Sequence, residues 1–195
     1  MKRWLLANGL AVLAALGNAG CAAPVRLYVN PEADLTHYER VAVISFTNLS
    51  QQSFAGERVT RSFITELIMA GRYQVVEPVE FAVVATRMGI ESDENGNFDP
   101  KRLAQAADSL HATGVIRGAV TEYGIQRLGQ DEVAVLAFDA EMVDAATGDV
   151  VWRVSISRHG KSRFPVFGGG STRTMGSLTQ DACVEAVAQL KGKAL

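Results

Sequence analysis

The stretch Arg40 to Phe46 constrains the fold most. Val41-Ala42-Val43-Ile44 sets apolar side chains at consecutive positions, so a strand there is apolar on both faces. A sheet sandwiched between helices gives such a strand the cover it needs. The residues downstream agree with that architecture. After the polar turn Thr47-Asn48-Leu49-Ser50, the run from about Phe54 to Ala70 puts Val59, Phe63, Ile64, Leu67 and Ile68 on one helical face. Arg58, Arg61, Thr65 and Glu66 lie away from it. Gly71 suits the left-handed residue that ends a helix.

The rest of the chain continues the pattern. Tyr73 to Val76 is a short strand, and Pro78 opens a second helix that runs to about Met88. Asp99-Pro100 marks a third helix start, with Asp as the cap and Pro as the first helical residue, ending near His111. Gly114 to Thr121 and Glu132 to Val143 are strands, and Ala145-Ala146-Thr147-Gly148 is a turn. Val150, Trp152, Val154 and Ile156 alternate in a fifth strand, making a hairpin with one apolar and one wetter face. Arg158 to Met175 is a Gly-, Ser- and Arg-rich loop, and Leu178 to Leu190 is a last helix. The fold class is α/β: a three-layer sheet with helices, in the order β-α-β-α-α-β-β-β-α.

The N-terminus is an address. Lys2 and Arg3 precede an apolar run from Trp4 to Leu16, then the small residues Gly17-Asn18-Ala19-Gly20 and Cys21. That run is short for a membrane span of about 20 residues, so it reads as an export signal rather than an anchor. Ala19-Gly20-Cys21 resembles a bacterial lipoprotein box, although Asn18 stands where that box prefers Leu. The resemblance implies lipidation of Cys21, and Ala22 after it implies sorting to the outer membrane. Cleavage by the general signal peptidase is the alternative. The chain then divides into a signal peptide (1–20), a lipidated N-terminus and tether (21–37) with a short extended piece at Val25–Val29, and a periplasmic domain (38–195). Each buried acyl methylene adds about 0.8 kcal/mol, so several chains hold firmly.

Charge excludes one class of partner. Of 19 basic residues two belong to the signal, leaving 17 against 21 acidic ones. Nothing in that balance favours nucleic acid. Cys183, the other of two cysteines, lies on an apolar helical face and reads as a buried, inert thiol.

No motif carries a reaction. Thr47 to Gly56 offers one glycine and no lysine, so it cannot cradle phosphate as a P-loop does. Gly160-Lys161-Ser162 resembles the end of such a loop, but Ser155 replaces its first glycine and Pro165 blocks the helix that should come next. Asp93-x-Asn95-x-Asn97-x-Asp99 alternates oxygen ligands, yet Phe98 and Ala104 stand where a calcium loop needs Gly and an acid. His37, His111 and His159 lack metal-ligand spacing. Catalytic residues, cofactor sites and metal sites are therefore not expected. The basic segment Arg153, Arg158, Lys161, Arg163 and Arg173, with Phe164, Phe167 and Gly168-Gly169-Gly170, is either a solvated loop or a docking surface. As a docking surface it would meet lipid headgroups, cell-wall polymer or a partner protein. Asn48 is the other docking candidate.

Several stretches together resemble a family. Tyr38 to Phe46 with Asn48, Gly71-Arg-Tyr-Gln-Val-Val-Glu77, Thr113 to Gly118 and Val143-Asp-Ala-Ala-Thr-Gly-Asp-Val-Val-Trp152 are similar, in order and spacing, to segments of CsgG-type curli-assembly lipoproteins. Related domains include the lipoprotein activator of penicillin-binding proteins and the N-terminal domain of TolB. The resemblance implies an anticodon-binding-domain-like fold, a binding or assembly role in the periplasm and no catalysis. It implies partners in envelope assembly, secretion or cell-wall synthesis, and allows a homo-oligomer. The family's export channel inserts two long hairpins per subunit. Glu122 to Asp131 is short and polar for a spanning hairpin, and Arg158 to Met175 lacks apolar alternation. The leading expectation is an outer-membrane lipoprotein whose periplasmic domain is an accessory or assembly factor. A subunit of an oligomeric export channel comes second and an enzyme third.

Overall fold

The computed structural model describes residues 25–93, 98–128, 131–160 and 174–190. Its strands are β1 (Arg26–Val29), β2 (Arg40–Val43), β3 (Thr47–Asn48), β4 (Gln74–Val76), β5 (Gly114–Leu128), β6 (Asp131–Asp144) and β7 (Val150–His159). Its helices are α1 (Ala55–Met69), α2 (Pro78–Arg87), α3 (Pro100–Ser109) and α4 (Met175–Leu190), with a 3-10 turn at Leu35–His37. One seven-stranded sheet runs β1-β7-β6-β5-β2-β4, with β3 beside β5. β2 is parallel to β4 and β5, whereas β5, β6, β7 and β1 pair antiparallel.

β2 is the hinge of two cores, and its two apolar faces explain why. Val41 and Val43 join a cluster with Val59, Phe63 and Leu67 of α1 and Leu178, Ala182 and Ala186 of α4. Ala42 belongs to the opposite cluster, with Phe81 and Ala85 of α2 and Leu103, Ala106 and Ala107 of α3. Ile44 packs against that second cluster. α1 and α4 thus cover one face, while α2 and α3 cover only the β4–β2–β5 end of the other. Beyond that end, no described helix covers the second face of β5–β7, the wetter side of the hairpin.

Local signals act where the sequence places them. The Asp99 carboxylate accepts the Arg102 N–H at 3.0 Å, with Pro100 opening α3. Gly71 takes φ +71° after α1. Cys183 is fully buried, and burial, with the charge of Glu66, pushes its thiol pKa up.

Three features differ from the sequence reading. The extended piece at Val25–Val29 is not part of a free tether: Arg26–Val29 is an edge strand paired with Ser155–Trp152 of β7, so the sheet begins ahead of Tyr38. β5 does not stop at Thr121 but runs to Leu128 through a bulge between Val120 and Glu122, still paired with β6. The opening strand is interrupted before Phe46. Val43 aligns with Ile116 and Thr47 with Ala119, so one side carries an extra residue. At the break the Phe46 N–H turns from the ladder and donates to the Thr60 hydroxyl at 2.9 Å, which itself donates to the Gly56 carbonyl at 2.8 Å. The Phe46 ring then packs 5.4 Å from Phe63 and 6.2 Å from Phe138.

Candidate functional site

The open face of the sheet gathers the polar side chains that sequence reasoning left scattered. Arg117 (β5), Glu141 (β6) and Arg153 (β7) lie on neighbouring strands, in register: Arg117 opposite Glu141 and Glu141 opposite Arg153. Glu141 accepts from Arg117 Nε at 2.7 Å and from Arg153 Nη2 through its other oxygen. The Glu141 side chain is 8% exposed and that of Arg153 is 57% exposed. Two register pairs along, on the same face, the Ser155 hydroxyl donates to Asp139. These groups, with Ile44 and Thr47, line a shallow cavity of about 370 Å³.

This arrangement can hydrogen-bond a ligand. A carboxylate shared by two guanidinium groups is already neutralised, and a guanidinium has five N–H donors, more than the pair uses. The donors left on Arg153 face solvent and suit an anionic or carbonyl-bearing group. The register makes the cluster: on antiparallel strands, directly opposite residues share a face. A sequence signal existed, since Arg117, Glu141 and Arg153 each interrupt an otherwise apolar strand run.

Asn48 and Arg158 sit elsewhere. The Asn48 side-chain oxygen accepts from the Ser50 N–H at 3.1 Å and the Ser50 hydroxyl at 2.8 Å, and its NH2 donates to the Gln52 carbonyl at 2.9 Å. Those bonds shape the turn into α1. Arg158 lies on the helix-covered side of β7. It donates to Glu185 of α4 from Nε at 3.0 Å and Nη2 at 2.5 Å, and to the Ser157 carbonyl at 2.7 Å. The structure does not bring the two together: Asn48 aligns with Val120, Phe138 and Ile156 across the sheet, about three strand spacings or ~14 Å from β7. Cys21, Lys161, Arg163 and Arg173 lie outside the described residues, as do the signal peptide, the glycine run at 168–170, and Asn95 and Asn97 of the calcium-like stretch.

A second polar junction stands at the C-terminal end of β6, three residues beyond Glu141. The Tyr38 hydroxyl donates to Asp144 at 2.9 Å, and Asp144 also accepts the Ala146 and Thr147 N–H groups at 2.8 Å each. Burial alone would raise the Asp144 pKa, but these hydrogen bonds outweigh it and hold the carboxyl below its usual value. Burial, then Asp144, pushes the Tyr38 hydroxyl up to about 12. Among the described residues, no group of three or more His, Cys, Asp or Glu could hold a metal ion. Nor is any described helix long and apolar enough to cross a membrane.

The fold is a helix-covered α/β sheet with one arginine-bearing face. The chain belongs to the peptidoglycan-synthase activator LpoB family, whose model matches residues 26–155, from β1 into β7. Of the groups tied together by the motif resemblance, this is the activator of penicillin-binding proteins; the comparisons bring no support for the CsgG-type group itself.

Solved structures share the fold. The PelC dodecamer from Paraburkholderia phytofirmans is 21% identical with a TM-score of 0.61, over 87% of this chain and 98% of that one. Lipoprotein GNA1162 from Neisseria meningitidis is 18% identical with a TM-score of 0.55, over 80% and 99%. The hypothetical protein CT253 from Chlamydia trachomatis is 14% identical with a TM-score of 0.54, over 80% and 96%. No curated protein matches the chain.

Proposed function

We propose that this protein is an outer-membrane lipoprotein, anchored through Cys21 and facing the periplasm, whose domain is an accessory factor that binds and regulates a cell-wall synthase rather than catalysing a reaction. The observation that carries the reading is the family match over residues 26–155, from β1 into β7, to a family described as activating peptidoglycan synthases. Lipidation of Cys21 and the periplasmic address rest on the leader and its Ala19-Gly20-Cys21 box. The docking residues are Asn48 and the basic segment Arg158, Lys161, Arg163 and Arg173.

Cross-linking in intact cells, with identification of the captured protein, tests the reading. A peptidoglycan synthase captured by the native chain, and lost on K161E/R163E/R173E, supports it. Capture of only secretion or polysaccharide-export components would overturn it. Labelled-lipid incorporation abolished by Cys21→Ser tests the anchor separately.

A homo-oligomer is a second reading, suggested by the dodecameric state of the PelC relative. The mass of the detergent-solubilised particle decides it. A ring of subunits that also opened ion-conducting channels in a planar bilayer would favour the export-channel alternative.

A further inference from the structure

β1 is an unusual edge. Arg26, Leu27, Tyr28 and Val29 are all exposed, the last three at 44%, 49% and 36%. Edge strands in soluble domains are usually blunted by charge, proline, a bulge or a covering element. This one is only four residues long and begins with Arg26, yet it presents apolar side chains on both faces. Register sorts them. Leu27 and Val29 lie opposite Val154 and Trp152, on the α1/α4 side. Arg26 and Tyr28 lie opposite Ser155 and Arg153, on the open face. At the sheet margin, three apolar side chains are thus flanked by two arginines.

Chain length says what covers this edge. Arg26 is five residues from Cys21. Fully extended, that leash spans at most ~18 Å at ~3.3–3.6 Å per residue. The polar headgroup layer of one leaflet is itself about 5–8 Å thick. The opposite edge, β4, lies five strand spacings from β1, or ~24 Å. A lipid on Cys21 therefore keeps β1 within about 18 Å of the anchor and leaves the β4 edge the farther one.

We infer that the β1 edge of the sheet is a lipid-contacting surface that seats the domain on the membrane holding its anchor, with Tyr28, Leu27 and Val29 in the interface and Arg26 and Arg153 on lipid phosphates. This rests on the proposed lipidation of Cys21. The side chains fit the task. A tyrosine ring enters the interface with its hydroxyl still wet. Arginine forks match phosphate oxygens, and their stems lie along apolar surface. At headgroup depth the outer backbone groups of β1 keep water and phosphate as partners, so no hydrogen bond is lost. The seating orients the domain: β4 and α2 point away from the bilayer.

Environment-sensitive labels read the orientation directly. Cys183 is buried, and an acylated Cys21 has no thiol, so a cysteine introduced at Tyr28 or Val79 is the reactive one. Val79 is exposed at the start of α2, just after β4. The full-length Tyr28→Cys and Val79→Cys proteins carry a fluorophore and are reconstituted into phosphatidylethanolamine–phosphatidylglycerol vesicles. The mass of the N-terminal peptide reports acylation. The expected result is a blue shift at position 28 and quenching there by a lipid-borne quencher, with position 79 unchanged. Acylated protein with both labels in water overturns the inference and leaves the anchor standing. An unmodified Cys21 with a water-exposed label overturns both. Shielding at position 28 that instead tracks protein concentration, with cross-links between copies there, overturns it in favour of strand pairing between two chains.

Discussion

The Phe46 backbone N–H donates to the buried Thr60 hydroxyl at 2.9 Å, exchanging a ladder bond for a side chain of α1. This bond lets the chain turn at the end of β2 without stranding a donor in the core. Thr60→Val keeps the shape and removes the acceptor. The expected loss is about 1–3 kcal/mol, because a buried N–H without a partner costs that much. Thr60→Ser should recover most of it. Urea denaturation midpoints compare the three proteins.

Gly118 faces the same junction. A Cβ there would stand 2.3 Å from the Asp139 carbonyl oxygen and 3.0 Å from the Phe46 ring. Neither can retreat, since one is sheet backbone and the other a core ring. Gly118→Ala should cost at least as much as an overpacked core, about 1–3 kcal/mol. Gly71→Ala is the contrast. Open space surrounds Gly71, but its φ of +71° penalises any Cβ, by about 1–2 kcal/mol. Thermal melts should rank Gly118→Ala as the more damaging.

Asp144 should make stability pH-dependent. Its folded pKa lies below the unfolded value, so its contribution is present above about pH 4 and is lost as pH falls through the folded pKa. Asp144→Asn should lose about 1–2 kcal/mol at pH 7 from weakened hydrogen bonds to Tyr38 and the turn. Its acid limb should also be shallower. Tyr38→Phe should show a smaller version of both effects. Stability measured from pH 2 to 7 would sink the assignment if the Asp144→Asn and native curves ran parallel.

Glu141 and its arginines should respond unequally. Glu141→Gln leaves two guanidinium groups facing a neutral amide and should cost about 1–3 kcal/mol. Arg153→Ala should cost under about 1 kcal/mol, because that side chain is largely in water. Denaturant midpoints at low and high salt would show the opposite ranking if Arg153 anchored the cluster.

Arg158 and Glu185 should be coupled. Their pair joins β7 to α4, with Arg158 largely buried and Glu185 at the rim. A double-mutant cycle with alanine should return about 1 kcal/mol of interaction, weakened by salt. An interaction energy of zero would show that Glu185 does not hold Arg158 to α4.

The sequence by itself determined the elements whose causes are local. Two apolar faces on Val41–Ile44 require helices on both sides, and both cores are there. Asp99-Pro100 and Gly71 set helix ends through caps that act within a few residues. The alternation in β7 announced one buried and one open face. Only the tertiary structure decided the rest. β1 is a strand because β7 offers it an edge more than 120 residues along the chain. Strand register across two hairpins, and no spacing within one segment, makes Arg117, Glu141 and Arg153 a cluster. Arg158 belongs to the fold because α4 returns Glu185 over it. Periodicity and capping act between near neighbours and can be read along the chain. Sheet edges and ion pairs depend on which distant segments meet, and in what register, and that exists only once the chain has folded.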